Sequence, residues 1–143
     1  MFNNKFMHSA LAMAEKAFIA EEIPVGAVII DPSKNNIIAS AYNLVEARCD
    51  PTAHAEILAI QSACQAIANK SLSGLDLYIT LQPCAMCMQA IIYAKITRVY
   101  FGAYNPTSSI NLSSVNHKPE IYGGIEEEKC RLLLNKFFTN VRT

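Results

Sequence analysis

The run Leu75-Asp76-Leu77-Tyr78-Ile79-Thr80-Leu81-Gln82-Pro83-Cys84-Ala85-Met86-Cys87 reads as a strand that passes without a break into a helix. Leu75 to Leu81 is short, apolar and rich in residues that favour extended backbone. Pro83 is well placed to open a helix, and from Cys84 to Lys95 the residues Met88, Ile91 and Ile92 fall along one side. A second strand-like run, Arg98-Val99-Tyr100-Phe101-Gly102, follows at once. Strand, crossover helix and strand form the unit that builds parallel neighbours in a sheet, so this stretch decides for a layered α/β domain.

Working outward, Met7, Leu11, Ala14 and Phe18 recur at helical spacing, widened by Ala10, Met13 and Ala17, which predicts a helix over about Asn4 to Ala20 that Pro24 closes off. Val25 to Ile30 and Ile37 to Ala41 are apolar runs separated by the turn-rich Asp31-Pro32-Ser33-Lys34-Asn35-Asn36, a hairpin. Asp50-Pro51-Thr52 supplies helix-start chemistry, and Ile57, Ile60, Cys64 and Ile67 then form an apolar stripe that places Cys64 in the core. Asn105 to Pro119 reads as polar loop, Glu120-Ile121-Tyr122 as a short last strand, and Gly124 precedes a helix carrying Cys130, Leu133, Leu134, Phe137 and Phe138. The order predicts crossover helices over a mixed sheet, with no repeats or linkers.

With 143 residues the chain has the length of one domain and can bury roughly 70% of the surface it would expose unfolded. Hydrophobic content of 52% and charged content of 17% exclude a disordered chain and a coiled coil. No window approaches the roughly 20 uncharged apolar residues of a membrane span, so a cytoplasmic protein with no membrane partner is expected. Of five cysteines only Cys84 and Cys87 form a close pair, which favours metal binding or catalysis over a disulfide framework. Twelve basic and twelve acidic residues cancel, so charge alone points to no nucleic-acid partner. The acidic Glu126-Glu127-Glu128 followed by Lys129, Arg131, Lys136 and Arg142 fits a solvated helix face whose basic end suits the helix dipole.

His54-Ala55-Glu56 and Pro83-Cys84-Ala85-Met86-Cys87 each stand at the start of a predicted helix. Together they offer one imidazole, two thiols and one carboxylate. Zinc favours tetrahedral sites of nitrogen and thiolate ligands, and a catalytic site keeps one position for water. His54, Cys84 and Cys87 supply three ligands, and Cys84 gains from a helix N-terminus that eases thiol ionisation. Glu56 lies two residues after His54, about 200° around a regular helix, so it does not share a ligand face and is better used as a proton carrier beside the metal. Two other readings stand beside this one. A closed zinc staple needs a fourth ligand from Cys49, Cys64, Cys130, His8 or His117, and a redox dithiol leaves His54 and Glu56 without a role.

His-Ala-Glu followed by Pro-Cys-x-x-Cys is the signature of the zinc-dependent nucleobase deaminases. Pro24-Val25-Gly26-Ala27-Val28, Asn43, Asp50 to Glu56, Pro83 to Cys87, Val99-Tyr100-Phe101-Gly102-Ala103 and the closing Gly123-Gly124-Ile125 and Phe137-Phe138 resemble, in order and across most of the chain, the bacterial tRNA-specific adenosine deaminases within the cytidine/deoxycytidylate deaminase superfamily. The resemblance implies one deaminase-like domain over residues 1–143, a three-layer α/β/α fold with a five-stranded mixed sheet, usually a homodimer, one Zn2+ per subunit, and conversion of the wobble adenosine of a tRNA anticodon loop to inosine. It implies His54, Cys84 and Cys87 as zinc ligands and Glu56 as the catalytic proton shuttle. Asn43 and the Ala55 backbone would fix the base, with Ile23, Leu81, Phe137 and Phe138 as apolar surroundings and Asn105 among the substrate-facing residues. The sequence departs from that pattern at Gln82, where Glu is commoner, at Tyr104-Asn105, which replace a basic-acidic pair, in a shorter loop from Asn105 to Glu120, and in an end at Thr143 without a longer basic tail. Asn116-His117 matches a pair near the loop's end, with His117 structural or RNA-facing.

Two further functional classes compete with tRNA editing. One is a deaminase of a free base or nucleoside such as guanine or cytosine, which the zero net charge favours. The other is a zinc-stabilised binding module without catalysis.

Overall fold

The computed structural model describes residues 3–108 and 117–142. Helix α1 (Asn4–Ile19) begins where the Asn3 side chain accepts a hydrogen bond from the Lys5 amide at 3.0 Å, relieving one of the orphan donors at a helix start. Phe6, Met7, Ala10, Ala14 and Ala17 form its buried face. The small residues bring the helix close to the sheet. At Gly26 an added Cβ would stand 2.1 Å from the Ala10 carbonyl oxygen and 2.4 Å from the Ala14 nitrogen, so no side chain fits there.

Strands β1 (Gly26–Asp31) and β2 (Asn36–Tyr42) form the expected antiparallel hairpin, with a register shift between Ile29 and Ile30. A four-residue helix, α2 (Val45–Arg48), follows, too short to show a helical period in the sequence. Helix α3 (Ala55–Ile67) has His54 as its N-cap residue, and strand β3 (Asp76–Leu81) leads to helix α4 (Ala85–Ala94) with Cys84 as N-cap, so Pro83 precedes the cap and is not the first helical residue. Strands β4 (Arg98–Ala103) and β5 (Glu120–Tyr122) complete the sheet, and helix α5 (Glu127–Arg142) ends the described chain.

The sheet order is β2-β1-β3-β4-β5, antiparallel between β1 and its two neighbours and parallel from β3 to β5. Helices α1 and α5 contact each other, as do α3 and α4, and β1, β3 and β4 are buried along nearly their whole length between such layers. This is the expected α/β/α architecture. Its core is built on Val28, Ile29, Leu77, Ile79, Met88, Ile91 and Val99.

The stripe expected on α3 is corrected. Its buried face is Ala55, Glu56, Leu58, Ala59 and Ala63, whereas Ile57, Ile60 and Cys64 are only partly buried and Ile67 is exposed. Alanine four residues apart lets the helix approach the sheet more closely than isoleucine would, so the smallest residues and not the largest mark the inner face. Cys64 packs at the core's edge, with its thiol 3.8 Å from the Lys70 carbonyl oxygen. Of the loop from Asn105 to Pro119, residues 109–116 lie outside the described residues, and with them Asn116.

Candidate active site

The register of the sheet gathers the site at one end. Gly26 faces Tyr42, Ala27 faces Ile79, and Leu81 faces Ala103. The chain therefore enters or leaves β1, β2, β3 and β4 on one edge, which brings Ile23 to Val25, Asn43, Gln82 to Cys84 and Asn105 together. The N-terminus of α3 is drawn to the same place, where the Leu44 amide donates to the Ala53 carbonyl at 3.0 Å.

His54 Nδ1 lies 3.8 Å from Cys84 Sγ and 3.4 Å from Cys87 Sγ, and the three ligand atoms all fall within 4.8 Å of one another. Tetrahedral zinc with ordinary bond lengths needs nitrogen and sulfur roughly 3.6 Å apart and two sulfurs roughly 3.8 Å apart, so the trio fits a zinc ion. None of the other candidate ligands joins it among the described residues. Cys49 is exposed, Cys130 is buried where an added Cβ at Gly102 would meet its Sγ, His8 pairs with Glu126 at 2.6 Å, and His117 Nε2 meets the Ile96 carbonyl at 2.9 Å. Among the described residues the trio thus lacks the fourth protein ligand that a closed staple requires.

Burial pushes the Cys87 thiol well above its usual range, with Glu56 and Cys84 adding to the effect, and burial holds the His54 imidazole below its usual range. A bound cation reverses the first of these and suits the second, because it favours the thiolate and needs a neutral imidazole. Glu56 is 4% exposed. Burial raises its carboxyl to about 7, opposed by hydrogen bonds from its own backbone N–H and from the Cys87 thiol. In the metal-free chain a carboxyl raised towards neutral pH by burial thus stands beside the three ligand atoms.

These residues open onto a cavity of about 590 Å3, within the range of small-ligand sites. Its wall includes His54, Cys84 and Glu56, and also the residues expected to surround a substrate: Ile23, Asn43, Ala55, Leu81, Asn105, Phe137 and Phe138, whereas Cys87 is fully buried and is not part of the wall. Asn43 is buried, and its amide N–H donates to the Val25 carbonyl at 3.1 Å. Phe137 meets Phe18 of α1 edge-on with ring centroids 6.1 Å apart, which fixes α5 so that its two phenylalanines reach the cavity.

A family model described as the cytidine and deoxycytidylate deaminase zinc-binding region matches residues 2–103. The chain belongs to the cytidine and deoxycytidylate deaminase family. It is 42% identical to a tRNA-specific adenosine deaminase of Rickettsia bellii, over 95% of this chain and 99% of that protein. A chain solved in studies of A-to-I editing by tRNA:A34 deaminases at the wobble position of transfer RNA has a TM-score of 0.86 at 38% identity, covering 92% of this chain and all of that one. A guanine deaminase from Bacillus subtilis has a TM-score of 0.67 at 37% identity, covering 73% of this chain and 66% of that one.

Not every wall residue of this deaminase family member was foreseen. Glu22, 1% exposed, accepts the amide hydrogens of Glu46 at 3.0 Å and Ala47 at 2.7 Å through its two carboxylate oxygens, satisfying the N-terminus of α2. No sequence signal links Glu22 to Glu46, since the bond exists only once the hairpin has folded. Gln82 and Asn105, both departures from the deaminase pattern, prove to be hydrogen-bonded to each other. Two basic residues of α5 pair locally, Arg131 with Glu127 at 2.9 Å and also with Glu128, and Lys129 with Glu126 at 3.9 Å, while Lys136 stands 5.3 Å over the Phe18 ring of α1.

Proposed function

We propose that the chain deaminates adenosine to inosine by hydrolysis at the wobble position of a tRNA anticodon, using one zinc ion per subunit. The observation that carries the chemistry is the buried Glu56 carboxyl at the cavity wall beside the His54, Cys84 and Cys87 ligand atoms. Similarity over nearly the whole chain to tRNA-specific adenosine deaminases supports the substrate.

His54, Cys84 and Cys87 would hold the metal. When bound, zinc supplies a Lewis acid that makes water acidic enough to attack at neutral pH. Glu56 takes a proton on a carboxylate oxygen as attack begins and delivers it to the departing amine, so that adenosine and water give inosine and ammonia. Asn43 offers its side-chain amide to the purine edge, and the Ala55 backbone supports the base. Ile23, Leu81, Phe137 and Phe138 surround the flipped nucleotide with apolar surface, and Asn105 stands at the rim. Taking a base from a single-stranded loop costs only a few kcal/mol of unstacking, which suits an anticodon. The same reading makes the protein a cytoplasmic homodimer, and among the described residues no helix is long and apolar enough to cross a membrane.

A second reading, deamination of free guanine, draws on the resemblance to the guanine deaminase and on the zero net charge. Zinc-loaded protein incubated with a tRNA carrying a wobble adenosine, and separately with free guanine and cytosine, separates the two. Inosine in the tRNA and no change in the free bases is expected. Ammonia release from guanine with an unchanged tRNA overturns the proposal. Phosphate contacts also predict that tRNA binding weakens steeply with added salt, which binding of a free base would not do.

A further inference from the structure

We infer that Gln82 is a positioning residue for the substrate, holding the segment from Tyr104 to Ser108 so that Asn105 keeps its place in the cavity wall. The inference rests on the base-deaminating reading of this site. Where β3 and β4 end side by side, the Gln82 amide N–H donates to the Ala103 carbonyl at 2.8 Å, and its side-chain Oε1 accepts the Asn105 amide N–H at 3.0 Å. Asn105 Oδ1 in turn accepts from the Thr107 amide at 3.1 Å and the Thr107 hydroxyl at 2.8 Å. The segment closes with the Ser108 amide donating to the Asn105 carbonyl at 3.0 Å and the Ser108 hydroxyl donating to the Pro83 carbonyl at 2.8 Å.

The segment is therefore tied at both ends to Gln82 and Pro83, the two residues that lead into Cys84, and both Gln82 and Asn105 line the cavity. Because Asn105 Oδ1 is committed inside its own turn, only the Nδ2 donor of that side chain is left to meet a ligand. The tie at residue 82 is a neutral amide accepting a backbone N–H, so neither salt nor pH releases it. Gln82 is not among the metal-ligating trio and not the proton carrier. Its loss should loosen the wall that the substrate rests on while leaving proton transfer intact.

The test uses the full zinc-loaded chain and the substrate that the parent turns over. In Gln82→Leu, hydrogen exchange at the Asn105 amide should quicken by about tenfold or more, since its acceptor is gone. KM should rise about threefold or more with kcat within about twofold and zinc content equal to the parent's. Gln82→Glu keeps an acceptor and should keep the Asn105 amide protected. Ser108→Ala cuts the other tie, should raise KM in the same direction, and should combine less than additively with Gln82→Leu, because both hold one segment. Should Gln82→Leu fail to fold, Ser108→Ala still reads the segment. Unchanged exchange at Asn105, or a fall in kcat with KM unmoved, overturns the inference. If the parent acts on a free base and not on tRNA, the exchange measurement is unaffected, so that failure is distinguishable from this one.

Discussion

Cys87 Sγ and His54 Nδ1 stand 3.4 Å apart although they belong to different helices, and Cys87 is completely buried. The third residue of α4 thus points back at the N-cap of α3. Without a cation the arrangement is unfavourable for a thiolate, since burial and the nearby Glu56 both oppose its ionisation. The geometry is held by the sheet, because β3 and the β1–β2 hairpin deliver the two helix starts to one edge.

Metal removal should therefore lower stability as well as activity. A metal present at about 1,000 times its Kd adds about 4 kcal/mol to the folded state, and a chelator takes this away. Thermal unfolding with and without chelator, with zinc content measured in parallel, checks this. Cys87→Ala should melt lower than the zinc-loaded parent and no longer respond to chelator. Identical melting curves for the parent in both conditions would count against a metal in this site.

Glu56→Gln separates holding the metal from moving the proton. The amide has nearly the same size and is not one of the three ligands, so zinc content should match the parent's. Turnover should fall by at least about 10²-fold, the contribution of a positioned proton carrier. A variant with zinc intact and a rate near the parent's would place the proton on another group.

The raised carboxyl of Glu56 predicts a pH dependence with a definite sign in the metal-free protein. Its folded value of about 7 lies above the ordinary 4.5, so between those values the folded state holds more of this proton than the unfolded state does. Stability from this group is fully present below pH 4.5 and declines as pH rises towards 7. Other titrating groups are common to parent and Glu56→Gln, so the difference between their urea midpoints isolates what Glu56 contributes. The variant should gain on the parent as pH rises from 4.5 to 7. A constant difference across that window would refute the assignment.

Much of this site could be read from the chain because its chemistry is local. His54 to Glu56 and Pro83 to Cys87 are contiguous segments, and each opens a helix whose apolar spacing announces it. Phe137 and Phe138 were legible only through the deaminase resemblance, since two adjacent aromatics on an amphipathic helix read equally well as core. What escaped depended on contacts between distant segments. Helix α2 is held by Glu22 and is too short for a period, and the Gln82 to Asn105 bond exists because β3 and β4 end in register. The inner face of α3 is hidden from hydrophobic spacing because close approach to the sheet selects alanine over larger apolar residues.

Glu22 gives the last test, one that joins stability to the site. Its carboxylate takes up two amide hydrogens at the start of α2, and the residue is almost fully buried. A negative group at a helix N-terminus also meets the positive end of the dipole. Glu22→Ala removes both acceptors and leaves two partly buried donors, each costing about 1 kcal/mol or more, so a loss of about 2 kcal/mol is expected. Glu22→Gln retains one acceptor oxygen and should lose roughly half as much. Because α2 begins two residues after Asn43 on the cavity wall, Glu22→Ala should also raise KM more than it lowers kcat. Urea unfolding and steady-state kinetics on the two variants check both effects. Equal midpoints for parent and Glu22→Ala would show that solvent replaces the carboxylate at no cost, and the role given to Glu22 would fall with it.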